Sequence, residues 1–346
     1  MCMAKILVSI ISYKERDLRG TVLDCYNKAV NKDDLYFSIV EEHFNGGHCD
    51  LSEIPANQIR YEKYDLSEFR GILWARNRTV EIDVEYDYIL YICGHTRFAY
   101  EWDKYTFQEY AKAVEASDTG KAVLTFCPAD YQYNDDWTTR TEHPTIVTTK
   151  NYFHPNITNA TFPQEPTEVY DFVPGAWFPH GFHPEEGKVS QGYWIHFTWC
   201  FADKNFVKEV PLDPEINFNC EEPYISVQSW CRGWRSYATP YLLGYHHRDK
   251  KYPGFDKLIF DEDRPWVDRN KEKYWQQSDA SMIKLNLLLS GRLEGKYGNI
   301  THEQVLDFCK ASGMNPRFTK YDPNYHLIKE GYQNFANRRH EPPLDR

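Results

Sequence analysis

The run Tyr91-Ile92-Cys93-Gly94-His95-Thr96-Arg97-Phe98, with Trp102-Asp103 close behind it, follows the apolar stretch Asp87-Tyr88-Ile89-Leu90. The stretch reads as a buried strand, and a strand ending in a small residue and then a histidine can hold a metal at a sheet edge. A second histidine pair, His246-His247, stands far along the chain. Two adjacent carboxylates, Glu221 and Glu222, follow a strand-like segment and are the strongest catalytic candidates. Arg76 and Arg97 carry guanidinium forks that fit phosphate oxygens, or else form buried salt bridges. Asp103 either supports a neighbouring ligand or caps the helix after it. Trp230, Trp234 and Tyr237 offer a stacking platform or belong to the core.

The elements that must position these residues alternate. Residues 5–12 predict a strand, and Leu18, Val22, Tyr26 and Ala29 recur at helical spacing. Strands are predicted at 35–40, 88–92 and 122–126, and helices at 68–83 and 104–116. This alternation predicts an α/β fold with a mostly parallel sheet flanked by helices. Ligands of such sheets lie beyond the carboxyl ends of the strands, where Ser12-Tyr13 and Cys93-Gly94-His95 fall. Residues 128–168 read as a long irregular excursion over that face. The C-terminal part is helical, with Ile283, Leu287 and Leu288 on one face and Val305, Phe308 and Cys309 on another. The expected division is an α/β domain over 1–250 and a helical region over 251–346 packed on it.

The chain has 346 residues, enough for a sizeable core. Its net charge of −11 argues against a general nucleic-acid binder. The charge is uneven: residues 264–346 hold 14 Lys and Arg against 10 Asp and Glu, so the preceding part is the more acidic. That tail is either a solvated surface or a contact for a polyanion. Nine cysteines are scattered without paired spacing, which predicts a reduced, cytoplasmic protein rather than a disulfide framework. No signal peptide is expected ahead of the first strand, and no apolar run reaches membrane-spanning length.

Four pieces together resemble the cytosolic GlcNAc-transferase family typified by the hydroxyproline-modifying enzyme of slime moulds. They are Ile6-Leu7-Val8-Ser9-Ile10-Ile11-Ser12-Tyr13, Arg70-Gly71-Ile72-Leu73-Trp74-Ala75-Arg76, the Cys93–Phe98 run with Trp102-Asp103, and Val210-Pro211-Leu212-Asp213-Pro214 continuing through Glu221-Glu222 to Arg232-Gly233-Trp234 and Tyr245-His246-His247-Arg248. The resemblance spans about residues 5–315. It departs from the family at Cys93, where an Asp-Ser-His sequence is usual.

The resemblance implies a GT-A glycosyltransferase fold and transfer of a hexose, pentose or N-acetylglucosamine from a UDP-sugar to a hydroxyl group, with retention at the anomeric carbon. It implies a divalent cation, Mn²⁺ or else Mg²⁺, held by His95 and His246, with His247 as the alternate. With the usual Asp replaced, three outcomes stay open: Cys93 ligates as thiolate, water takes the position, or metal dependence is lost. Ser12, Tyr13, Arg76, Cys93, Gly94, Arg97 and Trp234 would contact the nucleotide-sugar. Glu222, with Glu221, would position the acceptor and stabilise an oxocarbenium-like transition state. Two acceptors follow. One is a hydroxylated protein side chain. The other is 5-hydroxymethylcytosine in bacteriophage DNA, met by the aromatic segment Tyr152–Pro184 in a host cytoplasm, with the base swung out or the strand open. The alternative is a catalytically inactive sugar-nucleotide-binding module. A phosphate-ester hydrolase has little support, because no nucleophile or two-metal carboxylate cluster is evident.

Overall fold

The computed structural model describes residues 4–13, 15, 17–43, 49–65, 68, 70–126, 128–133, 140–142, 188–217, 220–247, 276–277, 280–281 and 283–312. The first strand shows how the sheet forms. In β1 (Ile6–Tyr13) almost every residue is buried, as expected of a strand covered on both faces. Ile6, Val8 and Ile10 point into one apolar layer with Leu18, Val22 and Trp102. Leu7 points into the other, with Leu73, Tyr224 and Phe308. The period-two alternation of side chains therefore feeds two cores from one strand.

β1 pairs in parallel with β2 (Leu35–His43) on one side and β4 (Tyr88–Cys93) on the other. β3 (Ile59–Asp65) extends the parallel set beyond β2. On the far side of β4 two strands run against the others. β10 (Trp199–Asp203) runs antiparallel to both β4 and β6 (Ala122–Thr125). β11 (Arg235–Ala238) returns parallel to β6, and β9 (Ser190–Gly192) closes the edge antiparallel. The order is β3-β2-β1-β4-β10-β6-β11-β9. The expected mixed α/β fold with a mostly parallel sheet is thus observed.

Helices α1 (Leu18–Lys28) and α3 (Trp102–Ala116) supply one layer. α2 (Ile72–Val80), α4 (Asn205–Glu209), α5 (Glu221–Cys231) and α6 (His302–Ser312) supply the other. Ser9 on β1 reaches Thr79 on α2 by a 2.5 Å hydroxyl pair, so a polar contact fixes the rotation of α2 on the sheet. Residues 283–289 are helical and bury Leu285, Leu288 and Leu289. Leu288 is as expected, but Ile283 and Leu287 are only partly buried. Val305, Phe308 and Cys309 are buried on α6.

A second, four-stranded sheet stands at the carboxyl edge of the first, in the order β5-β12-β7-β8. It comprises β5 (Thr96–Phe98), β7 (Ala129–Tyr133), β8 (Arg140–Glu142) and β12 (Gly244–His247). Part of the segment expected to be irregular is therefore a pair of antiparallel strands, β7 with β8. The rest of that excursion, and Tyr152–Pro184, lie outside the described residues. Among the described residues no helix is long and apolar enough to cross a membrane.

Candidate active site

β4 delivers Cys93 to the carboxyl edge, and the chain turns through Gly94 and His95 into β5. Gly94 is required by close approach. A Cβ there would meet Ser12 Cβ and Glu15 Cγ at 3.2 Å and the Ile11 carbonyl at 3.3 Å. The turn is pinned by Thr21 of α1, whose hydroxyl donates to the Gly94 carbonyl at 2.7 Å and accepts from the Thr96 amide at 3.1 Å. The His95 carbonyl accepts from the His247 amide and the Tyr131 hydroxyl, each at 3.2 Å.

β12 pairs antiparallel with β5, setting His246 opposite Thr96. This register brings His246 Nε2 to 2.9 Å from His95 Nε2. Glu15 Oε1 lies 2.7 Å from His95 Nδ1. A carboxylate so placed orients the imidazole from behind. Cys93, His95 and His246 each place a ligand atom within 4.8 Å of the others. Two imidazole nitrogens and a sulfur, with a carboxylate behind one histidine, are a donor set that fits a divalent cation. Without one, burial pushes the Cys93 thiol up to about 12; Arg76 opposes that shift, and the Glu221, Glu15 and Glu222 charges add to it. His247, the alternate, is buried with its ring 6.5 Å from that of His95.

Across from these residues, Glu221 and Glu222 occupy the first turn of α5, a helix rather than the end of a strand. The helix dipole favours carboxylates there. Their surroundings separate them. Burial, reinforced by the Glu222 charge and opposed by Arg76, raises the Glu221 carboxyl to about 8, and its Oε2 is buried without a partner among the described residues. Glu222 is also penalised by burial, but the His196 charge and hydrogen bonds from His196 and Trp194 outweigh it and hold its carboxyl below the usual range. Trp194 Nε1 donates to Oε2 at 2.9 Å, and His196 Nδ1 meets Oε1 at 3.2 Å. At neutral pH one carboxyl is thus protonated and the other ionised, a division that assigns different proton roles to neighbouring groups.

Sequence reasoning missed His196. It lies in Trp194-Ile195-His196-Phe197-Thr198-Trp199, which reads as aromatic core. The signal was the single ionisable residue inside that run. Because β10 is reversed, this segment enters from the carboxyl edge. Thr125, at the end of β6, then clamps His196 by accepting from its amide at 2.9 Å and donating to its carbonyl at 3.1 Å. His196 Nε2 is buried without a partner among the described residues.

Arg76, from α2, is buried, with its guanidinium carbon 4.3 Å from the Phe197 ring centre and 5.7 Å from that of Tyr91. Nη2 donates to the Phe197 carbonyl at 3.2 Å, while Nε and Nη1 have no partner among the described residues. A buried guanidinium with two spare donors suits an anionic ligand. Ser12 and Tyr13 end β1, next in the sheet to Cys93, and Ser12 Oγ is likewise buried without a partner among the described residues.

The structure places the remaining expected residues elsewhere. Arg97 pairs with Asp17 and donates to Thr21 Oγ1 at 3.1 Å, which ties β5 to the start of α1. Trp234 is core: it donates to Glu209 at 3.0 Å and packs edge-on against Phe206. Trp230 joins α5 to α6 through Asp307, and Tyr237 is buried in β11. Asp103 accepts from the Val30 and Asn31 amides at 2.9 Å, capping neither its own helix nor a ligand but the chain leaving α1.

Comparison with known proteins gives this geometry a context. No curated protein matches the chain. Among solved structures, GalNAc-T7 with UDP, GalNAc and Mn²⁺ is similar at 13% identity and a TM-score of 0.46, over 97% of this chain and 58% of that one. The chain therefore spans little more than half of that protein, a likeness too distant to carry an assignment. The family model described as Glycosyltransferase (GlcNAc) matches residues 47–307, about three quarters of the chain, leaving β1, α1 and β2 outside the match. That span holds Cys93, His95, His196, Glu221, Glu222 and His246, and on it the chain belongs to the GlcNAc glycosyltransferase family.

Proposed function

We propose that the protein transfers a sugar from a UDP-sugar to a hydroxyl group of a macromolecule, with retention at the anomeric carbon. The observation that carries this reading is a cation-fitting group (Cys93, His95, His246) within electrostatic reach of the adjacent carboxyls Glu221 and Glu222, whose charges act on Cys93. His95 and His246 would hold a divalent cation, for which the resemblance implies Mn²⁺ or else Mg²⁺. When bound, the cation supplies neutralisation of the diphosphate as its charge grows.

The chain's own residues do the rest. Arg76 offers the N–H groups of its Nε and Nη1 to the anionic part of the donor. Ser12 and Tyr13, with Gly94 held close against Ser12, shape the nucleotide end of the site. Glu221, protonated at neutral pH, donates a hydrogen bond to the sugar or the departing phosphate. Glu222 orients the acceptor hydroxyl and stabilises positive charge developing at the anomeric carbon. His196, held by Glu222, fixes that carboxylate in place. Retention needs no strong base, because the leaving phosphate takes the acceptor proton.

The net charge of −11 disfavours a polyanionic acceptor, so we infer that a hydroxylated protein side chain is the acceptor. The test is mass spectrometry of two substrates, a hydroxyproline peptide and a hydroxymethylcytosine oligonucleotide, each incubated with the protein, pooled UDP-sugars and, in separate reactions, Mn²⁺, Zn²⁺ or Co²⁺. A sugar mass on the peptide supports the reading, and NMR of that product reports the anomer. A sugar mass on the oligonucleotide alone moves the acceptor to DNA. No product and no UDP release from any donor would overturn the enzyme and leave a sugar-nucleotide-binding module.

A further inference from the structure

We propose that Cys93 is the third protein ligand of the cation at His95 and His246, and that its sulfur makes the site select a thiophilic divalent cation such as Zn²⁺ or Co²⁺ over Mn²⁺ or Mg²⁺. The inference rests on the reading of the two histidines as ligands and concerns which ion they serve.

Three observations carry it. First, the Cys93 sulfur lies in the same group as the two imidazoles, with all ligand atoms within 4.8 Å of one another, and among the described residues this is the only group of three or more such side chains close enough to share an ion. Second, the group is built on paired backbone. Cys93 ends β4 opposite Ile11 of β1, and His246 is fixed by β12 opposite Thr96 of β5. Sulfur and nitrogen are therefore presented by two strands and the turn between β4 and β5. Third, Glu15 Oε1 lies 2.7 Å from His95 Nδ1, the outer carboxylate partner that ligating histidines usually have.

The chemistry of the set then decides the ion. Mg²⁺ and Mn²⁺ favour carboxylate, carbonyl and water oxygens, whereas thiolate with imidazole suits zinc-like cations at small coordination number. A carboxylate at position 93 would restore a hard oxygen. Two histidines and one thiolate leave the remaining coordination to a ligand such as a phosphate oxygen, the arrangement of an open site rather than a closed structural one.

The test uses the full chain freed of metal and titrated with Co²⁺ as an optical probe. A near-ultraviolet sulfur-to-cobalt charge-transfer band that saturates at one ion per chain is expected, absent in Cys93→Ser and lost in His246→Ala. Visible cobalt bands without the charge-transfer band, or a band that survives in Cys93→Ser, would overturn the proposal. A second comparison does not depend on the serine variant folding. In Cys93→Asp, the ratio of Zn²⁺ to Mn²⁺ affinity should fall at least about tenfold from the wild-type ratio, as hard and soft ligand preferences require; an unchanged ratio would also overturn it. UDP affinity is measured in parallel with saturating Zn²⁺ and saturating Mn²⁺. Absence of UDP binding under both conditions, with the cobalt band intact, would sink the donor reading and leave the ligand assignment standing.

Discussion

Glu222 and His196 form one unit: Oε1 of the carboxylate lies 3.2 Å from Nδ1 of the imidazole, while Trp194 occupies the other oxygen at 2.9 Å. A group so held should act jointly with its partner. Glu222→Gln is expected to lower the transfer rate by ~10²-fold or more, and His196→Phe by a smaller factor. The double variant should be little worse than Glu222→Gln alone, since both remove the same arrangement. Steady-state kinetics of the three variants check this, and multiplicative losses would show that the two residues act independently.

Glu221 sets a pH signature on stability. Its folded carboxyl titrates at about 8 against an ordinary 4.5 because burial disfavours the anion. The folded state therefore holds a proton that the unfolded chain loses, so stability falls as pH rises from 4.5 to about 8 and levels off above. Glu221→Gln removes that term. The variant should match wild type near pH 4 and exceed it by about 5 kcal/mol at pH 9. Urea denaturation at the two pH values measures the difference, and a parallel offset at both would remove the assignment.

Arg97 and Asp17 are predicted to matter for folding rather than for the donor. Their side chains are 5% and 13% exposed, and Tyr131 adds a 2.6 Å hydrogen bond to the second Asp17 oxygen. Asp17→Asn leaves a buried guanidinium uncompensated and should cost ~3–5 kcal/mol. UDP affinity of the folded fraction should stay within about twofold of wild type, because the Arg97 guanidinium is engaged by Asp17 and Thr21 rather than by the donor. Calorimetric titration with UDP distinguishes this from a direct phosphate contact, which would reverse the pattern.

Gly244 couples packing to the cation group. A Cβ there would stand 2.7 Å from the Arg97 carbonyl and from the ring of Trp199, which is fully buried and stacked on Phe126. Neither neighbour has room to withdraw, so Gly244→Ala should cost ~1–3 kcal/mol by overpacking. It should also weaken Zn²⁺ binding, because the strand that shifts is the one carrying His246. Metal titration beside urea denaturation reads both effects, and lost stability with intact metal affinity would uncouple them.

The sequence made the centre of this fold plain and its margins obscure, for physical reasons. β1 and β4 are apolar on both faces, and a run such as Ile6–Ile11 has few other uses. β3 escaped notice because Arg60, Glu62, Lys63 and Asp65 give an edge strand the look of a surface loop. β5 and β12 are three and four residues long, too short for any periodicity, yet their pairing is what joins His95 to His246. The motif histidines and the Glu221-Glu222 pair stood out by residue type. His196 did not, since its role depends on the reversal of β10, which local pattern does not encode. Arg97 and Trp234 carry the chemistry expected of ligand contacts, but tertiary partners engage them in the framework.

The histidines that meet at 2.9 Å are 151 residues apart in the chain, and β4 finds its second neighbour only in β10. Contacts of such separation carry a large loop-closure entropy and form late. A nascent chain that has emerged only through β6 holds Cys93 and His95 but neither the strand that covers β4 nor the second imidazole. Competence to capture a cation thus arrives only after β12 has left the ribosome. In stopped-flow refolding, the cobalt signal should rise with the slowest phase, making metal capture a clock for completion of the fold.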